Sequence, residues 1–170
     1  MLNLSLAAIS RGEARAQWEI PLDDALWEGS GLALLEPVRV EVEARDVGES
    51  GVLVRGRIRT RVQAECRRCL SSVVAEVDEP IDLLFEQVDE DAKESLAGEV
   101  YPLPSRGAEL NLSDPEREQV LLHAPDYLLC REECRGLCPK CGANRNEISC
   151  ECAPEEGASP WAALKNIKFD

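Results

Sequence analysis

Eight cysteines are the residues of this chain with the clearest capacity for chemistry. Six of them fall within residues 130–152, and the other two form a C-x-x-C motif at residues 66–69. Thiolates bind zinc and softer metal ions, and two C-x-x-C turns can close a tetrahedral site of four sulfurs. The candidate metal ligands are Cys66, Cys69, Cys130, Cys134, Cys138, Cys141, Cys150 and Cys152.

The segment C-P-K-C-G at residues 138–142 is the sharpest of these motifs. The glycine after its second cysteine permits a tight turn, and backbone N–H groups can then donate to the sulfurs. Cys138 and Cys141 are therefore the leading candidates, and structural zinc is the expected cofactor.

The sequence leaves the grouping of the sulfurs open. The two C-x-x-C pairs could form one site and the other four cysteines a second, which gives two zinc ions. Alternatively, the C-terminal cysteines bind one zinc alone, through Cys134, Cys138, Cys141 and Cys150. Cys66 and Cys69 are then free or bind separately. Iron or an iron–sulfur cluster would also suit four cysteines, and the even count permits disulfides.

Composition bounds the class of protein. The chain has 170 residues, which suits one globular domain, and a formal net charge of −14. This charge argues against general coating of nucleic acid, because phosphate binding draws on clustered Lys and Arg. No apolar run reaches about 18 residues, so no membrane span is expected. The start lacks the basic segment of a secretory signal, so we expect a reducing, cytoplasmic location, where cysteines bind metal.

Three segments of alternating apolar and charged residues precede most of the cysteines, at residues 38–45, 52–62 and 73–85. This period is typical of half-buried strands. Turns at residues 48–51 and 66–69 separate them. The sequence predicts an α+β fold built on an antiparallel meander, which N-terminal strands, including residues 14–20, could extend or close into a partly closed barrel or sandwich.

The alternation also predicts a register. Placing Ile58 opposite Val42 and Val77 gives one apolar face across all three strands. The expected core residues are Val38, Val42, Ile58, Val62, Val73 and Val77. The opposite face carries Arg55, Arg57, Arg59 and Arg61, for which ion pairs with the neighbouring strands are favoured over contacts to RNA phosphates.

The chain divides into a β-rich domain (residues 1–100), a linker and helix (101–128) and a cysteine-rich zinc-knuckle lobe (129–170). Ser113 or Asp114 is expected to cap a helix that ends before Pro125. A short final helix from Ser159 is expected to pack on the sheet.

Charge is distributed unevenly along the chain. Residues 71–128 contain 15 acidic and 3 basic residues, and this acidic part could bind a basic protein. Basic residues lie near the sulfurs instead and make that part of the chain a candidate contact surface; among them are Arg67, Arg68, Arg135, Lys140 and Arg145. His123, the single histidine, is expected to be a packing residue and offers little support for Cys-His catalysis.

Two segments carry a family resemblance. A-E-C-R-R-C-L at residues 64–70 and G-L-C-P-K-C-G-A-N-R-N at residues 136–146, followed by Cys150 and Cys152, resemble the YceD family, the large ribosomal RNA subunit accumulation proteins of bacteria and plastids. Arg145 stands where that family usually has Leu.

The resemblance extends over roughly residues 38–168 and includes the segment P-W-A-A-L at residues 160–164. It implies a role in the synthesis, processing or stability of large-subunit ribosomal RNA, with that RNA or its precursor particle as partner. With this role, the acidic part of the chain could bind a basic ribosomal protein. The predicted RNA contacts are then Arg67, Arg68, Arg135, Lys140 and Arg145. It implies no catalytic activity. A zinc-dependent hydrolase acting on RNA is the alternative, although catalytic zinc usually keeps an open position and His or carboxylate ligands. The third hypothesis is a redox or metal-binding protein.

Overall fold

The computed structural model describes residues 1–48, 51–87, 100–104 and 109–152. The predicted final helix and the middle of the turn at 48–51 lie outside these ranges. The elements in chain order are β1 (Asn3–Ser5), α1 (Leu6–Ile9), β2 (Glu13–Ile20), a 3₁₀ turn (Ala25–Trp27), β3 (Ala33–Leu34), β4 (Val38–Asp46), β5 (Val52–Glu65), β6 (Ser72–Glu86), β7 (Tyr101–Pro102), β8 (Glu109–Asn111) and α2 (Ser113–His123). None of the helices in these ranges has the length and apolarity that a membrane crossing requires.

The main sheet has six strands, with β2, β4, β5, β6 and β7 in spatial order and β3 pairing with β5 beside this path. The predicted meander is present as β4, β5 and β6, which pair antiparallel. The edge strands β2 and β7 do not pair with each other in the described part of the chain, so the sheet is open rather than closed into a barrel. Strand β1 pairs with β8, which lies in the segment predicted to be a linker and helix. The predicted domain boundaries stay predictions.

One face of the sheet forms the core. Val40, Val54 and Ile58 are 0% exposed, because alternate residues of a strand point to the same face. The helices, the 3₁₀ turn and β8 contribute Ile9, Trp27, Leu110, Leu112 and Val120 to the same cluster. The predicted core residues found in it are Val38, Val42, Ile58, Val62 and Val77. Val73 packs against cysteines instead.

Both predicted hairpin pairings are shifted by two residues. Ile58 lies opposite Val40 and Glu79, rather than opposite Val42 and Val77. A shift of two residues leaves every side chain on its predicted face, so the hydrophobic pattern does not distinguish the two registers. The predicted register was therefore wrong, and the assignment of faces was correct.

Turn geometry decides the register of the β5–β6 hairpin. The backbone N–H of Cys66 donates to the carbonyl oxygen of Ser71 at 2.8 Å. This bond encloses the C-x-x-C motif and makes Glu65 and Ser72 the last pair of the ladder. The cysteine turn thus aligns two long strands.

The outer face of the sheet carries the ion pairs predicted for the arginine stripe. Arg57 and then Arg59 hold the pKa of the Asp78 carboxyl below its usual range. Exposed pairs add little stability, but they occupy the arginines that could otherwise contact phosphates. The pairs are Arg55–Asp82 (2.7 Å), Arg57–Asp78, Arg59–Asp78 (3.1 Å), Arg59–Glu41 (3.5 Å) and Arg61–Glu36 (3.2 Å).

Helix α2 lies where the sequence predicts it, but its cap differs. Leu112 is the N-cap residue and makes no side-chain capping bond, so the prediction that Ser113 or Asp114 caps the helix was wrong. The N–H of Ser113 donates to the side-chain oxygen of Asn111 at 2.7 Å. The buried residues of the helix are Pro115, Glu116 and Val120.

Candidate metal centres

The eight cysteines lie in two groups of four. Within each group, all sulfur atoms lie within 4.8 Å of one another. All eight are free thiols rather than disulfides. The first cluster contains Cys66, Cys69, Cys130 and Cys134, and the second contains Cys138, Cys141, Cys150 and Cys152.

Neither grouping derived from the sequence matches this arrangement. The two C-x-x-C pairs lie in different clusters, and Cys134 lies with Cys66 rather than with Cys138. The reason is tertiary: Leu128 forms a parallel bridge with Cys66, which brings the segment after α2 back to the hairpin tip. Spacing along the sequence carries no information about this return.

Backbone bonds hold the C-terminal segment against the tip of the β5–β6 hairpin. The N–H of Arg67 donates to the carbonyl oxygen of Leu128 at 2.9 Å, and the N–H of Leu137 donates to that of Arg68 at 2.8 Å. These contacts flank residues 130–134 on both sides. The cysteines of that segment are therefore positioned over the hairpin turn.

The side chains of Arg67 and Arg68 strengthen the same junction. The Arg67 guanidinium donates to the carbonyl oxygen of Asp126 at 2.6 Å. That of Arg68 donates to the carbonyl oxygens of Glu132 and Cys134, at 3.3 and 3.0 Å. These two predicted RNA contacts thus already make bonds inside the protein.

The two C-x-x-C turns have the same hydrogen bonds. In the first, Cys66 N–H donates to the Ser71 carbonyl oxygen at 2.8 Å and Leu70 N–H donates to that of Cys66 at 2.9 Å. The matching residues of the second turn are Cys138, Ala143 and Gly142, with both bonds at 2.8 Å. Leu70 has φ +59° where Gly142 has φ +72°. This conformation costs a side-chain-bearing residue about 1–2 kcal/mol, so the turn imposes it on Leu70.

Backbone N–H groups also lower the pKa of one sulfur in each turn. Burial alone raises the pKa of the Cys66 thiol, but the N–H groups of Cys130, Arg68 and Cys69 bring it down to about 6. For Cys138, the N–H groups of the following turn residues lower the pKa to about 6. These sulfurs are thiolates at neutral pH, which is the form that binds metal.

Other sulfurs in the clusters have raised pKa values. Burial and the neighbouring thiols raise the pKa of Cys130 to about 12. A bond to Cys141 is the largest of the causes that raise the pKa of Cys152 to about 12. Four thiolates repel one another at these distances, and a divalent cation among them would relieve that repulsion.

The geometry of the first cluster fits a tetrahedral metal ion. Sulfurs bound to zinc at 2.3 Å lie about 3.8 Å apart. The Sγ atoms of Cys66 and Cys134 are 3.7 Å apart, and those of Cys69 and Cys130 are 3.6 Å apart. The second cluster has the same donor set but is more accessible, with Cys141 and Cys152 exposed.

Gly136 marks a close approach between the lobe and the hairpin. Its φ is +70°, and a Cβ there would lie 2.9 Å from the carbonyl oxygen of Arg68. The same glycine accepts a bond from the N–H of Arg145 at 2.9 Å, next to the antiparallel pair of Leu137 and Asn144. A narrow two-stranded connection therefore joins the two clusters.

Asn146, which sequence reasoning missed, links this connection to the first cluster. Its Nδ2 donates to the sulfur of Cys134 at 3.3 Å and to Oδ1 of Asn144 at 2.8 Å. Its Oδ1 accepts from the N–H of Arg135 at 2.9 Å. The N-R-N segment directly after the second turn was the available signal, since amide side chains often satisfy backbone and sulfur groups near metal sites.

Replacing Asn146 by Ala should lower the metal affinity of the first cluster by about 10–100-fold, because an outer hydrogen bond to a ligating sulfur is lost. The second cluster should keep its affinity. Competition with a chromophoric chelator measures both sites, and Ser149→Ala, an exposed change in the same lobe, is the matched control. Equal affinities of the Asn146→Ala and parent chains would contradict this role.

His123 takes no part in either cluster. Its Nδ1 bonds the carbonyl oxygen of Gln119 in its own helix at 2.8 Å, as expected of a packing residue. The remaining predicted RNA contacts are exposed. Arg135 and Arg145 line a cavity in the lobe, and Lys140 lies on the second turn.

The described residues define an open β-sheet protein whose hairpin tip and C-terminal segment form two four-cysteine clusters. The family model described as "Large ribosomal RNA subunit accumulation protein YceD" matches residues 54–168. This match covers more than half of the chain, which therefore belongs to the YceD family. The resemblance identified from the cysteine motifs is confirmed.

Curated relatives agree with this assignment. An uncharacterized protein of Mycobacterium tuberculosis is 34% identical over 107 residues, which are 61% of this chain and 49% of that protein. The chloroplastic large ribosomal RNA subunit accumulation protein YCED homolog 1 of Zea mays is 28% identical over 188 residues, covering 92% and 64% of the two chains. Its Arabidopsis thaliana counterpart is 34% identical over 65 residues, covering 38% and 20%.

The chain spans about half the length of the mycobacterial relatives that it matches. No solved structure matches it.

Proposed function

We propose that this protein is a non-enzymatic factor that supports the accumulation of large-subunit ribosomal RNA, through its synthesis, processing or stability. The observation that carries the proposal is the match of residues 54–168 to a family named for this role. The names of the two plant relatives support it. The proposed partner is large-subunit ribosomal RNA or its precursor particle.

The proposed cofactor is zinc, with one structural ion in each cluster. Four cysteines with their sulfur atoms within 4.8 Å of one another form the donor set that structural zinc prefers. The bound ions would hold the C-terminal segment on the hairpin tip and shape the second turn. Free thiols throughout both clusters support a reducing location, and we propose the cytoplasm.

The composition of the two cysteine clusters supports a structural rather than a catalytic role for the metal ions. Four sulfurs fill a tetrahedral shell and leave no position for water or substrate. No histidine or carboxylate joins the sulfurs of either cluster within the described ranges. These features favour a binding protein over the zinc-dependent hydrolase.

The proposed RNA surface is the lobe around Arg135, Lys140 and Arg145. It is less acidic than the remainder of a chain with a net charge of −14, so contact with RNA would be local. The acidic part of the chain would suit a basic ribosomal protein, because complementary charge speeds encounter.

Sedimentation of cell extracts tests the proposal. The tagged full chain is expected to be enriched in fractions that contain precursors of the large subunit, compared with mature large and small subunits. Deleting the protein should lower the ratio of large- to small-subunit ribosomal RNA. An unchanged ratio and no enrichment would contradict the proposed function.

A further inference from the structure

A cavity in the cysteine lobe combines positive charge with an exposed apolar side chain. It has a volume of about 320 Å³ and is lined by Arg135, Arg145, Ile148, Ser149 and Cys150. Ile148 is 59% exposed. Ligand pockets begin at about 300 Å³, so the cavity has room for one small polar ligand rather than for a folded surface.

Hydrogen bonds fix the backbone of the two arginines of this cavity. The N–H of Arg135 bonds the side chain of Asn146 at 2.9 Å, and the N–H of Arg145 bonds Gly136 at 2.9 Å. In the part of the chain that the structure describes, neither guanidinium has a carboxylate partner. The nearby Glu147 instead accepts from the side chain of Asn144 at 2.7 Å.

In this respect the two arginines of the cavity differ from Arg67 and Arg68 and from the arginine stripe on the sheet. Arg67 and Arg68 donate to backbone carbonyls, and the arginine stripe of β5 is paired with carboxylates. A guanidinium presents a planar fork of donors that suits phosphate oxygens. Two guanidinium groups that have no carboxylate partner among the described residues, on a backbone held by hydrogen bonds, therefore favour an anionic phosphate ligand.

We infer that this cavity binds one unpaired nucleotide of an RNA strand. The backbone phosphates lie against Arg135 and Arg145, and the base lies against Ile148. The inference rests on the proposed function for the choice of RNA, and it adds the form in which the RNA is bound.

A single-stranded form follows from the shape and chemistry of the cavity. Bases in an A-form duplex are stacked and paired, so their faces are not available to an apolar side chain such as Ile148. An unpaired base exposes its face and can leave water for an apolar contact. The hydroxyl of Ser149 provides a donor and an acceptor for the ribose or the base edge.

Fluorescence anisotropy with the zinc-loaded full chain tests this inference. The probes are a labelled RNA of about eight nucleotides and the duplex that it forms with its complement. The chain should bind the single strand more tightly than the duplex. The double variant Arg135→Gln/Arg145→Gln should bind it at least about tenfold more weakly, and the slope of log K against log salt should decrease by about 1.4.

Two further variants separate the cavity from general charge. Arg131→Gln removes one positive charge, half the change of the double variant, from an exposed position of the lobe outside the cavity, and should change single-strand affinity less than about twofold. Ile148→Ser should weaken single-strand binding and leave the weak duplex binding unchanged. All variants should retain the zinc content of the parent chain, because the substituted side chains are exposed.

Several outcomes would overturn the inference. Equal reductions of RNA binding by Arg131→Gln and the double variant would contradict the cavity, and so would equal affinity of the chain for duplex and single strand. A parent chain that binds no RNA, or one that prefers a polyglutamate peptide, would contradict it as well. Failure of the proposed function is a separate result. Sedimentation that excludes the parent chain from large-subunit precursors contradicts that function, whereas equal RNA binding by parent and double variant contradicts the cavity alone.

Discussion

Replacing Glu116 by Gln is expected to raise the free energy of unfolding by about 3–5 kcal/mol at pH 8, and by less than about 1 kcal/mol at pH 5. Glu116 is 0% exposed, and within the described ranges neither of its carboxyl oxygens has a hydrogen-bond partner. Burial raises its pKa to about 8 from an ordinary value of 4.5. The charged form is thus unfavourable in the fold.

The pH dependence has a definite sign. Below about pH 4.5 the carboxyl is protonated in both states, so it does not oppose folding. Between about pH 4.5 and 8 only the unfolded chain releases the proton, and stability falls by about 1.4 kcal/mol per pH unit. Above the folded-state pKa the loss is complete. Glutamine has nearly the same shape and never ionises, so its advantage grows over the same range.

Urea unfolding of the zinc-loaded full chain at pH 5 and pH 8 measures this difference. Asp114→Asn is the matched control, since it neutralises an exposed carboxylate in the first turn of the same helix. It should change stability by less than about 1 kcal/mol. A gain in the free energy of unfolding for Glu116→Gln that is equal at both pH values, or absent at pH 8, would contradict the raised pKa of this carboxyl.

Glu116 also shows where sequence patterns lose information. It lies in a segment of 15 acidic and 3 basic residues, and such a run is usually a solvated face. The sequence located the helix at 113–123 correctly. It did not show that the helix turns this carboxyl into the core, because that depends on the packing of β8 and the helix against the sheet.

The same limit applies to the sheet and the clusters. Alternation identified β4, β5 and β6 and their buried faces, since period two is a local property of a strand. The register of the β5–β6 hairpin could not be predicted in this way, because the geometry of the cysteine turn sets it. The grouping of Cys66 depends on a contact with Cys134, 68 residues away. The sequence therefore identified the eight cysteines as candidate ligands but could not divide them into two sets.

Replacing Cys66 by Ser and replacing Cys138 by Ser should each lower the zinc content of the purified chain from about two ions to about one. The structure places these residues in separate clusters, so each substitution should remove only its own ion. Metal analysis by mass spectrometry, with protein quantified on the same sample, measures the content.

Double variants test the grouping more strictly. Cys66→Ser combined with Cys134→Ser disables one cluster twice and should retain one zinc. Cys66→Ser combined with Cys138→Ser disables both clusters and should retain none. The division of the sulfurs into two sets would be contradicted if the first double variant bound no zinc and the second bound one ion. Loss of all zinc in either single variant would contradict it as well.

Loss of zinc from the first cluster and loss of zinc from the second should affect the fold differently. Among the described residues, the apolar neighbours of the buried cysteines of the first cluster are Val73, Leu129 and Leu137, which provide too little apolar surface to hold a segment without the metal. In Cys66→Ser the backbone around Arg131 should therefore unfold, and trypsin should cleave after Arg131 faster than in the parent chain. In Cys138→Ser cleavage should be faster after Arg145 and unchanged after Arg131.

The sheet should survive both substitutions, because Val40, Val54 and Ile58 belong to a core that contains no cysteine. Amide hydrogen exchange in β4 and β5 should then match that of the parent chain, while exchange after residue 126 accelerates in Cys66→Ser. Rapid exchange throughout β5 in that variant would show instead that the first cluster supports the sheet itself, through the turn that sets its register.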